Sequence, residues 1–118
     1  LITNFPDDKF AYYNKGRVLY ELKKYEEATD AYARAAEVDS DNAEALSMAG
    51  RSAMMIAQVN ASDKKMRDEA LKTAIEFFHR VESAFPDKSD LYGYELYVCY
   101  TNLGQTAKAK PYKQYYSK

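Results

Sequence analysis

Between residues 12 and 42 the apolar side chains recur every three or four positions, in two successive runs. Tyr12, Gly16, Leu19 and Leu22 fall on one side of a first helix, and Tyr25, Ala28, Ala31, Tyr32, Ala35 and Val38 on one side of a second. Their sizes are complementary. Tyr32 and Leu19 are bulky while Gly16, Ala28 and Ala35 are small, so large groups on one helix can sit in the gaps of the other. The pattern predicts two short helices folded back on each other, each burying one face. The cluster Asp39-Ser40-Asp41-Asn42 closes this pair and opens the next helix, whereas the turn at Lys23 and Lys24 lacks the usual glycine.

The pattern then returns. In AEALSMAGRSAMMIA, Gly50 and Arg51 stand 34 positions after Gly16 and Arg17. The second hairpin holds about 12 residues more than the first, around Gln58 to Glu69. Met55 and Val59 continue the apolar side of its first helix, and Met66, Ala70, Ala74, Phe77 or Phe78, and Val81 that of its second. The excess is therefore expected to lengthen both helices by about 9 Å each, around a tip at Asn60-Ala61-Ser62 with Ser62 or Asp63 as the next N-cap. A third unit follows from about Asp90, LYGYELYVCYTNLG, with Gly104 as its helix-ending turn. The last segment, QTAKAKPYKQYYSK, keeps Ala109 but has Lys113 where a ring is expected. Pro111 removes a backbone donor, so this helix is expected to be kinked or to start late, with its lysines toward water or toward a further segment. At the other end, Phe5-Pro6-Asp7 echoes Phe85-Pro86-Asp87. Residues 1–8 are thus expected to be the tail of a preceding unit's second helix, the alternative being that Leu1 to Phe5 is a frayed end, with Asp7 or Asp8 capping the helix that follows.

The first pair resembles the tetratricopeptide repeat, a unit of about 34 residues with the signature W-x2-L-G-x2-Y, then A-x3-F, then P. Here it reads Tyr12-x2-Lys15-Gly16-x2-Leu19, then Ala28-x3-Tyr32, with Ser40 at the proline place; Lys15 and Ser40 depart from the pattern. Leu46-x2-Ala49-Gly50-x2-Ala53, with Ala74-x3-Phe78 and Pro86, follows it in the second pair. Gly93-x2-Leu96-Tyr97-x2-Tyr100 follows it in the third, where Tyr97 stands at a place expected to be small. The resemblance implies an all-α fold of stacked antiparallel helical hairpins, a right-handed TPR-like superhelix or solenoid fragment. One domain, 1–118, would hold the tail at 1–8, a first repeat at 9–42, a second with its lengthened hairpin at 43–88, and a degenerate third with a capping helix at 89–118.

The resemblance also implies a concave groove lined by the first helix of each hairpin. Carried over by position, the lining is Tyr13, Asn14, Arg17, Tyr20 and Glu21, then Ser47, Met48, Arg51, Met54 and Met55, then Tyr94, Glu95, Val98 and Thr101. Stacking would bring Arg17 and Arg51 near each other, to grip a carboxylate while apolar groups of an acidic peptide lie on Tyr13, Tyr20 and Met54. Alternatively, Arg17 pairs with Glu21 one turn on and Arg51 is solvated. Replacing both arginines by alanine is expected to leave thermal stability nearly unchanged. Some members of the family bind the C-terminal carboxylate of chaperones with a lysine and asparagine clamp; Tyr13 and Arg17 stand at the first repeat's clamp places, so that specificity is not implied here.

Composition narrows the function classes. A net charge of −1 argues against non-specific nucleic-acid binding, which needs a basic face. No apolar run approaches the roughly 20 residues that insert across a membrane. The start at Leu1 has no basic-then-apolar signal segment. The single cysteine, Cys99, excludes an internal disulfide and reads as a small buried hydrophobe among Tyr97, Val98 and Tyr100. His79 is the one histidine, without a second donor at zinc-ligand spacing, and reads as a partly packed helix residue. The acidic pairs Asp7-Asp8 and Glu26-Glu27 fall at helix starts, where the macrodipole accounts for them. Asn60-Ala61-Ser62 is formally a glycosylation triplet and equally an ordinary turn. No glycine-rich phosphate loop or nucleophile-base set is present, and no cofactor is expected. The expected function is a non-catalytic protein-protein interaction scaffold that binds a protein or an acidic peptide in its concave groove. The alternatives are a structural self-association module, through the third unit's tyrosines and the long hairpin, and a helical accessory domain of a larger cell-surface binding protein. Compartment, oligomeric state and partner identity stay open.

Overall fold

In the computed structural model, which describes residues 9–116, helices follow one another in antiparallel pairs, and no strand occurs among the described residues. The first pair is α1 (Lys9–Glu21) and α2 (Tyr25–Val38); the second is α3 (Ala43–Val59) and α4 (Lys64–Ala84). A 3₁₀ turn, Ser89–Leu91, leads into α5 (Gly93–Asn102). The final helical stretch is broken into α6 (Thr106–Ala109), a 3₁₀ turn (Lys110–Tyr112) and α7 (Lys113–Tyr116). The molecule measures 47 × 34 × 20 Å. Its least dimension matches two helix layers of about 10 Å each, with α1, α3 and α5 in one and α2, α4 and the final stretch in the other. The expected tail at 1–8 and the cap at Asp7 or Asp8 lie outside the described residues.

Local chemistry sets the helix ends. Asn42 caps α3, its Oδ1 accepting from the Ala45 N–H at 3.0 Å. Asp63 caps α4, accepting from the Met66 N–H at 3.2 Å. After α1, Lys23 N–H donates to Tyr20 O (3.0 Å) and Lys24 N–H to Leu19 O (2.9 Å), a closed pair of bonds that puts Lys23 at φ 64°. The same pair closes α5, where Gly104 takes the left-handed position at φ 76° and Gln105 N–H reaches Tyr100 O at 2.8 Å. A side chain at the first site makes that conformation cost about 1 kcal/mol, which the glycine avoids. At Pro111 the final stretch tightens into a 3₁₀ turn and then resumes, so it is kinked there but starts at Thr106 without delay.

Packing repeats one device. A Cβ placed on Gly16 would fall 2.9 Å from the ring of Tyr32, and one on Gly50 2.7 Å from the ring of Phe78. Those contacts are shorter than any side chain tolerates, so each glycine is a seat into which a buried ring closes the hairpin. The third unit keeps the device with different residues. Gly93 seats Tyr115, not a small residue at 97 facing a ring at 113. The short α5 and the break at Pro111 shift the register, and Tyr97 packs half-buried at the edge of the core. Helix α3 lies between α2 and α4 and is clad in small buried residues such as Ala45, Ala49, Ser52, Ala53 and Ala57, which allow close approach on both sides.

The apolar periodicity overreaches at four places. Leu22 is exposed because α1 ends at Glu21 and the chain turns away there. Val38 is exposed at the last position of α2. Val59 and Met66 are exposed because α3 and α4 run to 17 and 21 residues and overhang the shorter α1 and α2.

The C-terminal stretch is latched by polar contacts as well as by shape. His79 Nδ1–H donates to Glu82 Oε1 at 2.9 Å, which leaves Nε2 to accept from the Tyr100 hydroxyl at 2.6 Å. Tyr112 O–H reaches both oxygens of Glu82, at 2.9 and 3.0 Å, and its ring stacks on Tyr100. Burial, then the Glu82 carboxylate, pushes the Tyr112 phenol far above its ordinary range. Tyr92 O–H donates to Pro86 O at 2.7 Å and ties α5 to the end of α4. His79 is thus half-buried and bridges α4 to α5.

Candidate interaction groove

On the side of α1, α3 and α5, a cavity of about 570 Å³ opens between α3 and α5, with α4 as its floor. Its size falls within the ~300–1,000 Å³ of ordinary binding sites. Met54 and Met55 line it from α3, Tyr94 and Val98 from α5, Leu71 from below, and Tyr20 of α1 from one end. Methionine suits such a wall, because its unbranched thioether adapts to whatever shape is presented.

One end of the cavity is closed by an ion pair. Arg51 reaches Glu95 Oε2 with Nη2 at 2.8 Å and Nε at 3.1 Å. The Glu95 side chain is 9% exposed and the arginine 40%. Oε1 of Glu95 is buried without a hydrogen-bond partner, so the carboxylate depends on Arg51 for its charge balance. A buried carboxylate deprived of its partner is costly, whereas the pair itself adds little stability. The same carboxylate, after burial itself, raises the Cys99 thiol to about 12. Cys99 is fully buried and neutral, an inert part of the core.

The predicted lining residues divide. Tyr20, Arg51, Met54, Met55, Tyr94, Glu95 and Val98 meet around the cavity. Tyr13, Asn14, Arg17, Glu21, Met48 and Thr101 do not line it. Tyr13 lies edge-on to Tyr32 with ring centroids 5.4 Å apart, and Met48 packs on the Ala28, Tyr32 and Ala49 cluster. Asn14, Arg17, Glu21 and Thr101 are exposed. Ser47 is buried, its Oγ donating to Leu91 O at 2.8 Å, which removes it from the surface. Neither expectation for the arginines fits. Arg51 is partly exposed but not free to grip a carboxylate, because Glu95 holds it. Arg17 forms no ion pair with Glu21 among the described residues. Burial, then Tyr25, raises the Tyr20 phenol, and the nearby Arg51 opposes that shift.

Three cavity residues, Gln58, Ala61 and Arg67, come from the extra stretch of the second hairpin, with Leu71 one turn further on. The unit lengths carried a signal for them, because extra helix on α3 and α4 has to extend whatever lies beside α5.

Elsewhere, no group of three or more histidine, cysteine, aspartate or glutamate side chains could hold a metal among the described residues. No helix among them is long and apolar enough to cross a membrane.

Stacked antiparallel hairpins with a solvent-open face on the first helices define a helical-repeat protein. The tetratricopeptide repeat family model matches residues 10–42, which are α1, α2 and the turn after them. Over that stretch, and in the helical pairing that continues beyond it, the chain is similar to the tetratricopeptide repeat. Such repeats generally mediate protein-protein interaction and are generally non-catalytic. No curated protein matches the chain.

Proposed function

We propose that this protein is a non-catalytic interaction module that docks a segment of a partner protein on the face of α1, α3 and α5, in the cavity between α3 and α5. The observation that carries the reading is an open, methionine-walled hollow on the face that the fold leaves free of a second layer. Hairpins that touch only their sequence neighbours leave such a face available along the whole stack. The groove proper consists of Tyr20, Met54, Met55, Tyr94 and Val98. Tyr13, Asn14, Arg17, Glu21 and Met48 form its approach along α1 and α3. Arg51 and Glu95 act within it as a structural pair.

The test is affinity capture from the source cells with two variants. Met55→Glu with Val98→Glu places charge inside the cavity, and Lys72→Glu with Glu76→Lys swaps charges on the exposed side of α4. The first is expected to lose the captured partner and the second to keep it. Equal retention by both contradicts the reading. So does a tight dimer of the chain that buries Met55 and Val98, which would make the surface a self-association face.

A further inference from the structure

Among the side chains that line the cavity, positive charge exceeds negative. Of its ionic lining groups, Arg51 and Glu95 neutralise each other at 2.8 Å, which leaves Arg67. Arg67 stands at the far end, in the first turns of α4, with a side chain 34% exposed. It forms a long ion pair, Nε to Asp68 Oδ1 at 3.3 Å, and Nη1 donates to Ala61 O at 3.4 Å. Asp68 is already served by Lys64 at 2.7 Å, and Lys64 is the first cause of its lowered pKa. A guanidinium presents five N–H donors in a planar fork, and only two of those on Arg67 are engaged, both weakly.

We infer that the lengthened second hairpin makes this cavity a docking site for a peptide segment carrying one large apolar side chain with a carboxylate close to it in sequence. The apolar group enters between Met54, Met55, Leu71 and Val98, and the carboxylate pairs with Arg67. The inference rests on the groove reading and adds the partner's chemistry. It moves the anion contact away from Arg51, which cannot leave Glu95 without stranding a buried charge, to an arginine supplied by the extra residues. A basic segment is disfavoured by the same charge, because the one carboxylate of the lining is already held by Arg51. In a half-enclosed site a charge-assisted, two-pronged contact with arginine fixes orientation as well as adding affinity.

The experiment uses the protein labelled with ¹³C at its four methionine methyl groups. Met54 and Met55 report on the cavity, Met48 on the neighbouring part of the groove, and Met66, outside the cavity, serves as a reference. The probes are acetylated, amidated octapeptides in an alanine-serine background, with one leucine and one glutamate separated by one to four positions. The matched peptides replace glutamate with glutamine or lysine, or leucine with alanine. At least one leucine-glutamate peptide is expected to shift Met54 and Met55 and leave Met66 in place. Its affinity should fall about tenfold with glutamine for glutamate in the peptide, and equally with Arg67→Gln in the protein. The peptide arm does not depend on whether that variant folds. Equal binding of the glutamate and lysine peptides overturns the inference, as does the absence of any shift at Met54 and Met55. Shifts at Met48 alone overturn it while leaving the groove reading intact. Free N-acetyl-leucine binding as tightly as the best peptide also overturns it, in favour of a small-molecule site.

Discussion

The first two hairpins and the C-terminal unit solve the same problem by different physics. In α1–α2 and α3–α4 the helices are long, and each pair closes by a buried ring on a glycine, Tyr32 on Gly16 and Phe78 on Gly50. After α5 the helices shrink to single turns, and the ring on Gly93 belongs to the half-buried Tyr115. There a hydrogen-bonded latch of His79, Glu82, Tyr100 and Tyr112 supplements the packing. Shape suffices where two helices can bury enough area against each other. Where they cannot, half-buried polar groups bonded to one another supply the missing definition.

The sharpest way to break this contrast is to fill the glycine seats. Gly50→Leu forces a side chain into the buried Phe78 ring and is expected to cost about 3 kcal/mol or more in urea unfolding. Gly93→Leu should cost less, about 1–2 kcal/mol, because Tyr115 is only half-buried and less packing is lost when its ring is displaced. Similar losses at both sites would mean that the two regions are held alike.

Alkaline titration comes next. Tyr32 is raised from 10.0 to about 12 by burial and then by Tyr13, and Cys99 from 9.0 to about 12 by burial and then by Glu95. Tyr100 of the latch is raised as well, by burial and then by Glu82. For each group the folded state holds its proton more tightly than the unfolded chain. The stability they contribute is complete below about pH 9 and is lost as pH climbs toward 12. Thermal melts that stay flat between pH 9 and 12 would contradict this burial.

Arg51→Ala is expected to cost about 1–3 kcal/mol, because it strands the Glu95 carboxylate, with the half-exposed arginine keeping the figure below that of a fully buried pair. Arg17→Ala should change stability by less than about 0.5 kcal/mol. The near-neutral outcome that the sequence suggests for both arginines is therefore now expected of Arg17 only, and equal effects would sink the assignment of Arg51 to the fold.

Tyr112→Phe removes two hydrogen bonds to Glu82 and keeps the ring stack, for about 1 kcal/mol. Its effect should appear as faster amide exchange in α6 and α7, with α1 and α2 unchanged. The smallest change is Lys23→Gly, which relieves a left-handed lysine and should raise stability by about 0.5–1 kcal/mol.

What could be read from the chain follows the same division. Gly16, Tyr32, Gly50 and Phe78 announced the hairpins because close packing leaves a size signature at fixed spacing, three and four positions at a time. The third unit broke that spacing at Pro111, so Gly93 and Tyr115 were not paired in advance. The latch was invisible because His79 and Tyr100, or Glu82 and Tyr112, are far apart in sequence and no local pattern couples them. For the groove, position along the first helices carried Tyr20, Met54, Met55 and Val98 to the cavity. The Arg51–Glu95 pair spans 44 residues and joins two elements whose relative register only the fold sets. Arg67 carries no local signal of its own; it reaches the cavity because α4 forms the floor there.

The most direct test is side-chain oxidation of the protein with and without its captured partner, followed at single methionines. The account predicts that Met54 and Met55 become protected in the complex while exposed Met66 keeps its free rate. Protection of Met66 with Met54 and Met55 unchanged would place the partner on the outer side of the long hairpin and contradict the groove.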